Sequence, residues 1–252
     1  MNLFRAALLL SSCGALWAAD GGGKLTIYMA GKPVASETYT LKDVDGKMVL
    51  DGSGTAHIGP MLVTIEQYKV VTDDKYQPLE AVFKGKMGTM SMDLKTVFAD
   101  GKAKNEITTA QGTQHKEDDV SAGGLVISQN LPVFPLSILA KRVSFASDAP
   151  QEFKAYVLGQ AELAVTAQYK GKDTVEFAGQ KVDLDHIAGS AAMPQGQTLN
   201  FDLWVLGDRT LVKLAVPAQK VEAYQDGYEP KPAPPPPPSP APADKAETPK
   251  KP

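Results

Sequence analysis

The sequence predicts an all-β fold: an antiparallel meander forming a half-open or closed barrel with one short helix, followed by a disordered proline-rich C-terminal tail. Three observations carry this. Between about residues 24 and 228 the chain is a succession of short stretches rich in Val, Thr, Tyr and Phe. Apolar and polar residues mostly alternate in them, which is the period of a half-buried strand. Turn dipeptides punctuate these stretches at Asp45-Gly46, Asp100-Gly101, Gly171-Lys172, Gly179-Gln180 and Gly207-Asp208, as hairpins require. No helical segments separate the strands, so hairpin-linked antiparallel pairing is favoured over parallel crossovers.

Residues 1–19 read as a signal peptide. They run Met-Asn-Leu-Phe-Arg, then an apolar stretch from Ala6 to Trp17, then Ala18-Ala19, the layout of an export signal. Nothing later offers the roughly 20 consecutive apolar residues of a membrane span. The single cysteine, Cys13, leaves two readings. It is a passenger in a discarded leader, which suits the short gap after Arg5, or it is the acylated residue of a lipobox-like Leu10-Ser11-Ser12-Cys13. The expected location is therefore exported and periplasmic, the alternative being a lipoprotein anchored through Cys13. No other cysteine is available for a disulfide, so the domain, residues 20–228, must be held by its own core. Removing Arg5 with the leader leaves 26 − 1 = 25 basic residues against 29 acidic ones, which excludes the concentrated basic face of a nucleic-acid binder.

The strands expected first are "KLTIYMA", "ASETYTL", "KMVLDGSG", "LVTIEQYKVV" and "TMSMDLKTVF". "ELAVTAQY", "DTVEFA" and "LNFDLWVL" follow. "NLPVFPLSILAKRV", residues 130–143, is proline-started and unalternating, and predicts a short helix from Leu136 to Arg142 that plugs or covers the curved sheet. From Glu229 to Pro252 the chain contains no large apolar residue. Such a segment cannot form a core, and its prolines favour an extended spacer.

A two-residue turn at Gly207-Asp208 would place Phe201, Leu203 and Val205 on one face, opposite Leu214, Val212 and Thr210. The other face would pair Asp202 with Lys213 and Trp204 with Leu211. Trp204 then lies on the polar face, where the helix or its flanking "LPVFP" segment is expected to cover it; left exposed, it becomes a candidate ligand contact. A two-residue turn at Gly179-Gln180 would oppose Glu176 to Asp183, with Asp185 one step along. Those three carboxylates are either a hard-cation site or charges screened by Lys172 and Lys181.

No nucleophile elbow, phosphate loop or metal-ligand spacing is present. His57, His115 and His186 are far apart in sequence, so no catalytic residue, metal ligand or cofactor is assigned. "MGTMSMDL" places Met90, Met92 and Leu94 on one strand face, with Met87 at the preceding turn. Methionines so placed hold soft cuprous copper or, without His or Cys beside them, line an adaptable apolar pocket. Met90, Met92 and Trp204 are the candidate ligand contacts.

"GKPVASETYTLKDVDGKMVL", "YQPLEAVFKG", "VFADGKA" and "FDLWVLGDRTLVKLAVPAQKVEAYQDGY" resemble uncharacterised bacterial envelope proteins built as one long curved antiparallel sheet. These are similar in layout to the Lol-type lipoprotein carriers, whose half-barrel covers an apolar cavity with short helices. The resemblance implies a non-enzymatic envelope protein that binds an apolar small molecule or lipid in its curved sheet. The alternative is a structural or protein-interaction module meeting an envelope partner through the proline-rich tail.

Overall fold

The computed structural model describes residues 21–128, 131–177, 179–193 and 196–230. The signal-like segment with Cys13 and all but the first two residues of the tail lie outside them. The described chain is one 15-stranded sheet in the order β8-β7-β6-β5-β4-β3-β2-β1-β15-β14-β13-β12-β11-β10-β9. One meander comprises β1 (Gly21–Met29), β2 (Lys32–Val44), β3 (Lys47–Ile58), β4 (Met61–Thr72), β5 (Pro78–Met87), β6 (Met90–Ala99), β7 (Lys102–Thr109) and β8 (Gly112–Asp119). The other comprises β10 (Gln151–Val157), β11 (Ala161–Phe177), β12 (Gln180–Ala192), β13 (Thr198–Val205), β14 (Leu211–Val216) and β15 (Val221–Gln225). They meet where β1 pairs with β15. The short β9 (Leu125–Ile127) lies parallel to β10, the geometry that a crossover demands. That crossover carries α1, Leu136–Arg142, with the bounds the sequence predicts.

The turns follow their residues. Asp45 and Gly46 have φ of 53° and 73°, and Asp100 and Gly101 have 54° and 71°, so both central residues are left-handed, as a twisted two-residue hairpin turn requires. Gly171 departs from expectation. It is no turn but a bulge inside the 17-residue β11, where pairing shifts between Tyr169 and Gly171. An extra residue in one strand is absorbed there by a glycine at φ 94°.

The sheet is not closed by a ladder. β8 and β9 are its two edges, yet only residues 120–124 separate them, so the sheet must curl until its edges approach. Side chains span the seam. Lys116 Nζ donates to the Gln160 carbonyl at 2.8 Å, and Ser121 Oγ donates to Glu162 at 2.8 Å. Beneath them Tyr156 Oη donates to Asp118 at 2.7 Å and accepts from Asn105 Nδ2 at 2.8 Å, while Thr96 Oγ1 donates to Asn105 Oδ1 at 2.7 Å. Burial, and then the Asp118 carboxylate, push the Tyr156 hydroxyl pKa up. Each member is satisfied, so this polar network joins the edges without orphaned groups.

α1 fills the concave face. Phe134, Ile138, Leu139, Ala140 and Val143 all belong to the main core, together with Leu41, Leu50, Val70, Leu203 and Leu214. Phe134 stacks on Tyr39 (centroids 5.3 Å, 3° between planes) and takes the edge of Tyr68 at 5.7 Å. It fits because β3 carries Gly52 below it: a Cβ there would sit 2.6 Å from the ring. The segment is also clamped at both ends by polar side chains. Glu37 of β2 accepts from the backbone N–H of Val133 at 3.0 Å and of Phe134 at 3.2 Å. Arg209, from the β13–β14 turn, donates to the Ala140, Lys141 and Val143 carbonyls. A carboxyl group accepting before the helix and a guanidinium donating after it satisfy the unpaired N–H and C=O groups at its two ends.

Two predicted registers shift. Val205 pairs with Leu211, and Trp204 with Lys213. Val212 is the extra residue of a bulge, so the expected Asp202–Lys213 pair does not form. Lys213 instead lies 3.3 Å from Glu222 and 4.7 Å over the Trp204 ring. Phe201, Leu203 and Val205 do share the buried face. In the β11–β12 hairpin, Glu176 pairs with Lys181, Asp183 with Thr174 and Asp185 with Lys172. The expected opposition of Glu176 and Asp183 is absent because the ladder closes at Phe177–Gln180, one residue earlier on each strand than a Gly179-Gln180 turn would close it.

Candidate functional site

Three places concentrate exposed or polar chemistry, and the strand geometry distinguishes them. The first is the mouth of the curl. On β6, Leu94 and Thr96 are buried, and Met90 and Met92 share their face by strand alternation; yet Met90 is 61% exposed and Met92 39%. What covers Leu94 is the β10–β11 turn, since a Cβ on Gly159 would sit 2.6 Å from Leu94 Cδ1. One step further along the strand that cover ends. The same change occurs on the neighbours. Ile65 and Ala56 are buried, while Met61 and Ile58, paired across the β3–β4 hairpin, are exposed. Met87 pairs with Met90 and with Val63. Gly85, opposite Met92, makes room for the Phe83 ring, which a Cβ would meet at 2.7 Å. Val63 and Phe83 reach down to the main core. The mouth is thus an apolar, methionine-rich surface continuous with the core beneath it.

The second place is the outer face of β11–β13. His186 Nδ1 lies 2.9 Å from Asp173 and Nε2 lies 2.8 Å from Asp202. Both contacts are hydrogen bonds at once only when both ring nitrogens carry hydrogen. The imidazole stacks on Trp204 (4.8 Å, 6°), whose Nε1 donates to Asp173 at 3.1 Å. Trp204 therefore does not pack beneath α1, as the sequence led one to expect. It sits on the opposite face, half-buried in a small second cluster with Phe177, Leu184, Val212 and Tyr224. This cluster covers the outer face with its own side chains, which is why a tryptophan is found there. Of the sequence-predicted ligand contacts, the structure brings Met90 and Met92 together and leaves Trp204 apart from them.

The third comprises two surface depressions of mixed polar and apolar lining. One, of about 460 Å³, lies over the bulges of β3 and β4 and is lined by Thr38, Ser53, Glu66, Gln67 and Lys84 among others. The other, of about 250 Å³, lies at the seam beside Phe98, Ser121, Tyr156 and Glu162. Among the described residues no three or more His, Cys, Asp or Glu side chains are grouped to hold a metal ion.

Glu37 is the residue that sequence reading missed. It is 1% exposed, and burial pushes its carboxyl up to about 8 against the lowering effect of the Val133 and Phe134 N–H groups. The signal was present in "ASETYTL", whose alternation places Ala35, Glu37, Tyr39 and Leu41 on one face. A charge in phase with three apolar residues points inward.

No protein-family model matches the chain, and no curated protein matches it. Among solved structures, the fold is similar to a beta-barrel-like protein of domain of unknown function DUF1849 from Brucella abortus. That similarity has a TM-score of 0.53 at 8% identity, over 81% of this chain and 93% of that one. The fold is β-barrel-like. A DUF1089 family protein from Pseudomonas aeruginosa also matches, at a TM-score of 0.42 and 14% identity, over 87% of this chain and 98% of that one.

Proposed function

We propose that this chain is an exported, non-enzymatic envelope protein that binds an apolar, lipid-like ligand at the mouth of its curled sheet. The observation that carries the reading is the row Met87, Met90 and Met92, facing the concave side yet uncovered. Exposed apolar patches of this kind mark interaction sites. Methionine is the side chain best suited to an irregular apolar partner, being unbranched and polarizable. A curved antiparallel sheet covering an apolar cavity is the layout of the Lol-type carriers that the sequence resembles, and the reading takes its ligand class from that resemblance. Here α1 fills the deep part of the curl, so the ligand site is shallow and open. Trp204 is not part of it.

Native mass spectrometry of the protein purified from its own envelope tests the reading. A retained lipid, lost when Met90→Asn and Met92→Asn are combined, is the expected result. A protein that carries none and binds no soluble acyl probe would leave the interaction module acting through the proline-rich tail.

A further inference from the structure

Antiparallel order sends successive connections to opposite ends of the sheet, and the two ends differ in charge. At one end lie the β1–β2, β3–β4, β5–β6, β7–β8, β10–β11, β12–β13 and β14–β15 connections. Among the described residues, these contain no Asp or Glu. At the other end, the connections contain Asp45, Asp73, Asp74, Asp100, Asp148 and Asp208 against Lys75 and Arg209, with Lys47 and Lys102 at the strand tips. The described chain also begins and ends there, at Gly21 and Pro230.

The apolar mouth opens at the end whose connections carry no carboxylate; Glu222, at the tip of β15 there, is paired with Lys213. Ile58, Met61, Met87 and Met90 flank its turns, and Met29 and Leu62 beside them are 51% and 46% exposed. Its cations are Lys220 and, at the strand tips, Lys32 and Lys86. Lys86 is ion-paired with Glu66. Lys32 and Lys220 are both exposed, on turns joined by the Ala30 N–H donating to the Lys220 carbonyl at 2.8 Å.

We propose that this end docks on an anionic lipid bilayer, with the mouth side chains entering the boundary between headgroups and acyl chains and with Lys32 and Lys220 against the phosphates. The proposal rests on the reading of the mouth as an apolar-ligand site and names the surface from which that ligand is taken. Charge sorted between whole ends complements an extended charged plane. The aspartate-bearing end is repelled by that plane, so a chain of net charge −3 still approaches in one orientation. Lysine near an anionic surface and apolar side chains within the interface act together.

The test is flotation of the full chain, in a Cys13→Ser background so that acylation contributes nothing, with phosphatidylcholine vesicles with and without phosphatidylglycerol. Binding is expected to require phosphatidylglycerol. It should fall about tenfold in the Lys32→Glu/Lys220→Glu pair, fall similarly in Met61→Asn/Met90→Asn, and be retained in Asp45→Asn/Asp100→Asn. Thermal melts confirm that each variant folds, and the lysine pair, far from the core, decides if the methionine pair does not. Binding indifferent to phosphatidylglycerol or unchanged by the mouth variants overturns the proposal, as does self-association through the mouth. A soluble acyl probe on the same proteins separates the two readings. Probe binding without vesicle binding sinks the docking alone, whereas vesicle binding without probe binding sinks the ligand site alone.

Discussion

Along β3, β4 and β6 one face of the sheet has two fates. Near the middle of the sheet, Leu50, Val70 and Leu94 are buried. Toward the β3–β4 and β5–β6 turns, the same face carries Ile58, Met61 and Met90, all exposed. On β3 and β6 the alternation runs unbroken between the two regions, and on β4 a bulge between Ile65 and Gln67 keeps the same side facing inward. The difference is cover, which the β10–β11 turn gives to Leu94 and α1 to Leu50 and Val70: α1 has seven residues and so runs about 10 Å, whereas a strand of 12 residues such as β3 runs about 40 Å. A plug that short hides the middle of the face and leaves its rim open. An apolar strand residue is therefore core or contact surface according to what lies across the curl from it.

The comparison breaks most visibly at Phe134. Truncation to Ala removes a fully buried ring held by Tyr39 and Tyr68 and should cost about 3–5 kcal/mol in chemical denaturation. A cost below about 1 kcal/mol would mean that the plug contributes little to the folded state.

Glu37 sharpens it next. In the folded chain its carboxyl titrates near 8, against an ordinary value of 4.5. Between those values the folded state keeps the proton that the unfolded state has released. Its contribution to stability is therefore fully present below about pH 4.5, declines as pH rises toward 8 and is flat above that. The decline should amount to a few kcal/mol, and Glu37→Gln should abolish it. Denaturation curves from pH 5 to 9 check this: a wild-type slope that persists in the variant assigns the effect to another group.

The smallest effect is expected at the rim. Met90→Ala should change stability by less than about 0.5 kcal/mol, while lowering affinity for an acyl probe. A loss comparable to that at Phe134 would show the mouth to be packed core.

Much of this fold was legible in the residues. The Asp-Gly turns, the limits of α1 and the buried face of β13 follow from local chemistry: left-handed turn positions, a proline-led apolar run and period-two alternation. β8 was less so, because "GTQHKEDD" is polar throughout and exposed. It is an edge strand, laddered on one side only, and its charges suit an edge that must not pair with another chain.

Local sequence determined which segments are strands and where most turns lie, because each such choice depends on a few neighbouring residues. Tertiary structure decided the rest. The bulges at Val212 and near Gly171 reset the registers, because a bulge depends on how two strands share twist and packing. The Val212 bulge moved Lys213 from Asp202 to Trp204 and Glu222, and a β11–β12 turn set one residue earlier placed Lys181 and Lys172 opposite Glu176 and Asp185. The side of the sheet on which α1 docks depended on a curl that no single strand encodes. That one choice made Phe134 core, left Trp204 to a cluster on the other face and opened the methionine rim.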